Sequence, residues 1–165
     1  MDDRLSLAGR AAIVTGAGNG LGRAEALALA AAGAGLVLND LAGDDVCAVA
    51  DEVTAAGGQA VVCAGDIGEW ATGEQLVAAA LEHYGQLDIL VNNAGVLRDR
   101  MVFTMSEQEW DLVLRVHLRG HFVTTRFAEP AEISRLVVFL ASDESSYSTG
   151  SEFVADGGLL SGPGY

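Results

Sequence analysis

What most restricts this chain is an alternation that runs through it. A short apolar, β-branched run is followed by an amphipathic stretch at helical spacing, and glycine ends most of those stretches. Residues 11–16 (AAIVTG) predict a buried strand, and 20–33 (GLGRAEALALAAAG) a helix stopping at Gly33. Residues 35–40 (GLVLND) predict a second strand. Val46, Val49, Ala50 and Val53 mark a helix from Asp44 to Ala56, closed by Gly57 and Gly58. Residues 59–66 (QAVVCAGD) predict the third strand. Glu69 to Tyr84 is the next helix, with Leu76, Val77, Ala80 and Leu81 on one face and Gly85 after it. Residues 87–95 (LDILVNNAG) predict the fourth strand. Ser106 and Glu109 have capping-box spacing and open a long helix through Trp110, Val113, Leu114 and Leu118 to about Arg126. Pro130 fits the first turn of a further helix, apolar at Ile133, Leu136, Val137 and Leu140. Residues 152–158 (EFVADGG) predict a last short strand.

Apolar strands separated by amphipathic helices form a parallel sheet covered on both faces. The expected fold is therefore α/β: a doubly wound parallel sheet of about five strands, in one domain over residues 1–165. Hydrophobic residues are 50% of the chain and charged residues only 19%, which excludes a disordered chain. The formal net charge is −14. An acidic surface repels phosphate backbones and anionic lipid, so neither nucleic acid nor membrane is an expected partner. The longest apolar run, Ala26–Leu38, has 13 residues, short of the about 20 that span a bilayer. Met-Asp-Asp-Arg at the start leads into no apolar run, so no signal peptide is expected. Cys47 and Cys63 lack metal-ligand spacing and read as free thiols in a reducing, cytoplasmic setting.

The turn after the first strand reads Thr15-Gly16-Ala17-Gly18-Asn19-Gly20-Leu21-Gly22. Between a strand and a helix, such glycines permit a tight turn and let a pyrophosphate approach the backbone. The helix N-terminus adds N–H donors and the positive end of its dipole. Asp40 ends the second strand, eighteen residues after Gly22. A carboxylate there accepts hydrogen bonds from the ribose hydroxyls of NAD and repels the 2′-phosphate of NADP. No basic residue stands at 17–19 or 41 to reverse that preference, so NAD is expected over NADP. Asn92-Asn93-Ala94-Gly95 ends the fourth strand, where an open α/β sheet faces its ligand crevice. Without a ligand, the same residues still make a tight strand-to-helix turn, a loop carboxylate and an Asn turn.

Thr15-Gly16-x-x-x-Gly20-x-Gly22, Gly65-Asp66-Ile67, Asn92-Asn93-Ala94-Gly95 and Asp156-Gly157-Gly158 together resemble the short-chain dehydrogenase/reductase family. Order and spacing agree over residues 8–126 and again over about 129–160. The resemblance implies a Rossmann-like sheet and an NAD-dependent hydride transfer between nicotinamide and a secondary alcohol or ketone, a small-molecule substrate. It implies that Gly16, Asn19, Gly20, Leu21 and Gly22 cradle the pyrophosphate and nearby ribose, and that Asp40 holds the adenosine ribose. Asp66 and Ile67 would flank the adenine; Asn93, Ala94 and Gly95 would line the cleft. Residues 92–100 with 116–120 resemble the dehydrogenase module of multifunctional β-oxidation enzymes, implying a 3-hydroxyacyl-type substrate. The family's dimer contacts imply a homo-oligomer.

One departure is large. The family's chemistry needs a Ser and then Tyr-x-x-x-Lys between the long helix and the C-terminal segment. Here Arg126 runs directly into Phe127-Ala128-Glu129-Pro130, which resembles the family's late helix, so a junction falls at 126–129. All nine basic residues are arginine, and Tyr84, Tyr147 and Tyr165 are followed by no lysine. The chain carries no catalytic set of the family's kind. His117 stands where the family usually has a helix asparagine; it could relay protons, or be a packed, hydrogen-bonded helix histidine. Arg98 and Arg100 could meet an anionic substrate tail, or be solvated loop arginines. Trp70 and Trp110 read as core or interface residues, and His83 and His121 have no metal spacing. The alternative to an oxidoreductase is a non-catalytic NAD-binding or oligomerising module.

Overall fold

The structure is a computed structural model, describing residues 6–41 and 43–127. Four parallel strands lie in the order β3-β2-β1-β4: β1 Ala11–Thr15, β2 Gly35–Asn39, β3 Gln59–Val62 and β4 Ile89–Val91. Helices α1 (Gly20–Ala31), α2 (Gly43–Ala55) and α3 (Trp70–Tyr84) connect them. After β4 come α4 (Glu107–Val113), a wider π-helical segment (Leu114–Gly120) and α5 (His121–Phe127). The predicted helix from Pro130 and the strand at 152–158 lie outside the described residues.

Side-chain alternation along the strands builds two cores. Ala12, Val14, Leu36 and Leu38 pack with Ala26, Val46, Val49 and Val53 of α1 and α2 on one face. Ile13 and Val37 point the other way and meet Leu76 and Ala80 of α3, with Leu87. Every residue of β1 and β2 is buried, as both covered faces require. β1 pairs with β2 from Ala11↔Gly35 to Thr15↔Asn39, and with β4 from Ala12↔Ile89 to Val14↔Val91. The chain first winds outward from β1 to β3, then crosses back to β4. The strand order therefore reverses between β1 and β4, and their carboxyl ends open a crevice there.

Local chemistry fixes the helix ends. Gly85 adopts φ +74° after α3 and donates its N–H to the Leu81 carbonyl (3.0 Å). The capping box forms as its spacing predicts: the Ser106 hydroxyl accepts from Glu109 N–H, and Glu109 accepts from Ser106 N–H. The Ser106 backbone and hydroxyl, with Arg100, hold the Glu109 carboxyl below its ordinary range.

At the opposite end of the sheet from the crevice, the buried Asp88 carboxylate accepts from Ala11 N–H (2.9 Å), Arg10 Nη1 (2.8 Å) and Gln86 Nε2 (2.7 Å). Asp88→Ala leaves the buried Ala11 N–H without its acceptor, which costs about 2 kcal/mol. Thermal melting should show a drop of about 2–4 °C per kcal/mol, with ligand binding at the crevice unchanged.

Candidate functional site

The carboxyl ends of β1, β2 and β4 are bound into one network centred on Thr15. Its buried hydroxyl donates to the Val91 carbonyl (3.2 Å) and accepts from the N–H groups of Asn93 and Ala94, both at 3.1 Å. Asn93 returns the link: its Nδ2 donates to the carbonyls of Thr15 (2.9 Å) and Gly16 (3.1 Å). The Asn93 side chain thus braces the glycine turn across the crevice. Asn92 faces the helices instead, accepting from Thr124 Oγ1 (2.6 Å) and donating to Thr125 Oγ1 (3.1 Å).

The glycines occupy positions that a side chain could not. Gly16 has φ +65°, and a Cβ on it would sit 2.8 Å from Ala94 Cα. A Cβ on Gly22 would overlap the Gly16 carbonyl oxygen and Asn93 Nδ2. Gly20 differs: its φ is +55°, and a Cβ there would meet nothing within 4 Å. It faces open space at the start of α1. Asn19 is the N-cap residue, yet its side chain makes no capping hydrogen bond, so no side chain covers the first N–H groups of α1. Leu21 is exposed beside it.

Asp40 reaches the same turn. Its Oδ2 accepts from Gly18 N–H (2.9 Å) and its Oδ1 from Leu41 N–H (2.7 Å). Each oxygen keeps a second lone pair for another donor. A Cβ on Gly18 would lie 2.9 Å from Oδ2, so this approach of carboxylate to backbone needs glycine. Buried Asn39 holds the neighbouring loop, donating to the carbonyls of Cys63 (2.8 Å) and Gly65 (3.0 Å). Asp66 accepts from Gly68 N–H (2.7 Å) and pairs with Arg115 at 2.8 Å. Ile67 is buried against Gly120 of the π-helical segment. Arg119 Nε donates to the Gly68 carbonyl (2.6 Å), so two arginines tie the 65–69 loop to that segment.

His117 is committed to backbone. Its Nε2 lies 2.8 Å from the Val96 carbonyl and 3.1 Å from Val96 N–H, latching the loop after β4. Its ring lies against Gly95, where a Cβ would be 2.9 Å from His117 Cε1. Arg98 donates to the Leu97 carbonyl (2.7 Å), and Arg100 pairs with Glu109 (3.1 Å). No cluster of metal-ligating side chains occurs among the described residues.

Gly16, Gly18, Gly22, Asp40, Asn93 and Ala94 are therefore joined at the carboxyl ends of β1, β2 and β4, with Gly95 following in the β4 loop and Asn19, Gly20 and Leu21 at the start of α1. Asp66 and Ile67 connect to this set through Gly65, whose N–H donates to the Asp40 carbonyl (3.0 Å). Sequence reasoning passed over Thr15, the hub, and Arg115, the partner of Asp66. Thr15 was visible only as the residue preceding the first glycine of the turn.

The model of the short chain dehydrogenase family matches residues 10–151. The chain belongs to that family. The hydroxyacyl-CoA dehydrogenase ChsB1 of Mycobacterium tuberculosis is 56% identical over 127 residues, 74% of this chain and 40% of that protein. The peroxisomal multifunctional enzyme type 2 of Mus musculus is 46% identical over 137 residues, 78% of this chain and 18% of that protein. A crystal structure of a short chain dehydrogenase from Mycobacterium avium superposes with TM-score 0.73 at 46% identity, covering 80% of this chain and 50% of that one. A metagenomic short-chain oxidoreductase solved in complex with NADP superposes with TM-score 0.71 at 36% identity, covering 78% and 59%. This short-chain dehydrogenase thus spans half or less of the length of the curated relatives named here. Its Rossmann-like sheet is the one it shares with these two solved structures. No helix among its described residues is long and apolar enough to cross a membrane.

Proposed function

We propose that this chain is the dinucleotide-binding part of an NAD-dependent oxidoreductase that moves a hydride between nicotinamide and a secondary alcohol or ketone of 3-hydroxyacyl type. The observation that carries the reading is the cradle at the start of α1. Gly20 faces open space, the first-turn N–H groups have no side-chain cap, and Asp40 stands beside them. A pyrophosphate fits there, because N–H donors and the dipole's positive end meet it with no Cβ in the way. Gly16, Asn19, Gly20, Leu21 and Gly22 would hold the pyrophosphate, and the second lone pairs of Asp40 would take ribose hydroxyls. Asp66 and Ile67 would flank the adenine, with Asn93, Ala94 and Gly95 along the cleft.

When bound, the nicotinamide supplies the hydride acceptor or donor. The chain's own residues orient: Thr15 and Asn93 lock the turn to the β4 loop, and His117 fixes that loop from the other side. A small-molecule substrate of hydroxyacyl type is supported by what the M. tuberculosis relative is named for. The adenosine end carries no basic side chain at positions 17–19 or 41, which supports NAD over NADP. Residues 1–165 are read as one domain with a junction at 126–129, lacking the Ser and the Tyr-x-x-x-Lys. The family's dimer contacts, as the resemblance implies them, support association with a second copy. Cys47 and Cys63 are free thiols, which supports a reducing, cytoplasmic setting.

Calorimetric titration tests the reading. NAD should bind more tightly than NADP, and Gly20→Asp should abolish binding by setting a carboxylate against the pyrophosphate. NADP binding tighter than NAD would remove the assignment of Asp40.

A further inference from the structure

We propose that Arg115 is a positioning residue of the dinucleotide site: it fixes the Asp66 carboxylate in the one orientation that lets the 65–69 loop select the base at the adenosine end. The inference rests on the reading of the crevice as a dinucleotide site, in which Asp66 and Ile67 flank the adenine.

Both oxygens of Asp66 are directed by the protein. Oδ1 accepts from Gly68 N–H (2.7 Å), and Oδ2 pairs with Arg115 Nη2 (2.8 Å). One donor would leave the carboxylate free to swing about its side-chain torsions; two donors on different elements hold it. A carboxylate offers about four lone-pair sites, so acceptor capacity remains for a ligand N–H. The same Nη2 reaches Glu69 Oε1 (2.5 Å), so one guanidinium crosses the loop from end to end. Arg119 Nε donates to the Gly68 carbonyl between them (2.6 Å). Two glycines make the approach feasible. A Cβ on Gly68 would lie 2.7 Å from Arg115 Cγ, and a Cβ on Gly120 would lie 2.5 Å from Ile67 Cδ1. The arginine stem and the Ile67 side chain thus each occupy space that a larger residue opposite would take. His117, from the same π-helical segment, bonds Val96 in the loop after β4, so one segment sets both loops.

Stability alone does not account for this arrangement, since a half-exposed ion pair contributes little to it. The chemistry of the base does. Adenine presents an amino N–H donor at its 6-position, and an ionised carboxylate only accepts. Hypoxanthine presents a carbonyl oxygen there, and two acceptors face to face repel. A carboxylate held in place tells the two bases apart; one free to turn away does not.

Calorimetric titration of the full chain with NAD, and with the analogue in which hypoxanthine replaces adenine, tests the proposal. The parent chain should bind NAD on the order of tenfold more tightly than the analogue. Arg115→Leu keeps the bulk of the stem and removes the charge; it should bring the two affinities within about twofold. Arg115→Lys, which keeps a cation beside Asp66, should recover most of the discrimination. Glu69→Gln removes the other partner of Nη2 and should leave the discrimination at the parent's level. Arg115→Leu that weakens both dinucleotides at an unchanged ratio would make Arg115 a structural strap and overturn the proposal. Loss of discrimination in Glu69→Gln would overturn it as well, since the orientation of Asp66 would then not depend on Arg115. A parent chain that binds NAD but does not discriminate overturns this inference alone. A parent chain that binds neither dinucleotide overturns the dinucleotide site itself, and this inference with it.

Discussion

Gly22→Ala is expected to destabilise the chain by about 3 kcal/mol, the upper range for overpacking a closed site. The added methyl would overlap the Gly16 carbonyl oxygen and Asn93 Nδ2, and would lie 2.9 Å from Gly16 C. Neither neighbour can yield cheaply. Gly16 is held at φ +65° with Ala94 against it, and Asn93 Nδ2 is already donating to two carbonyls. Relief requires α1 to move off β1 or Asn93 to let go of the turn. Either response breaks the link between β1 and the β4 loop, so NAD binding should fall together with the melting temperature. Gly20→Ala is the contrast. Its methyl meets nothing within 4 Å, and it pays only the left-handed φ, about 1–2 kcal/mol. If Gly22→Ala melts like the parent chain, the close approach of turn and β4 loop is not a constraint.

The purified 165-residue chain is expected to show no dehydrogenase turnover. General acid–base help is typically worth about 10²–10⁴ in rate, and its usual residues are missing. The chain contains no lysine. Tyr84, the one tyrosine among the described residues, donates its hydroxyl to the Leu36 carbonyl (2.9 Å), away from the crevice. Burial pushes its hydroxyl up, opposite to the direction a catalytic tyrosine needs. His117 is the remaining candidate, and Val96 occupies its Nε2. NADH absorbance should stay at baseline against hydroxyacyl and steroid alcohols. Turnover that survives repurification and disappears in His117→Ala would make His117 the acid.

The sheet was legible because its signals are local. Short apolar runs in 11–15 and 35–39 and glycine-ended helical spacing specify strands and helices without tertiary information. The strand limits were drawn too long: 59–66 contracts to Gln59–Val62 and 87–95 to Ile89–Val91. In both, side chains take over beyond the strand: Asn39 donates to the Cys63 and Gly65 carbonyls, and Asn93 donates to the Thr15 carbonyl. The long helix expected from Ser106 to Arg126 is interrupted by the π-helical segment. Nothing in the periodicity of 114–120 announces it. Tertiary bonds meet there, with Arg115 to Asp66, Arg119 to Gly68 and His117 to Val96. The glycine turn and Asp40 were readable because their spacing carries the chemistry. Thr15 was not, because one hydroxyl joining three backbone groups is visible only once β1 and β4 are side by side.

The central claim is that NAD lies across the carboxyl ends of β1 and β2 at the start of α1. Backbone amide shifts of the full chain, followed by NMR during an NAD titration, test it most directly. The account predicts saturable shifts at Gly16–Gly22, Asp40–Leu41 and Asp66–Ile67, with smaller ones at Asn93–Gly95, and none at Asp88. Shifts confined to the Leu114–Phe122 face, or no shifts up to millimolar NAD, would contradict it.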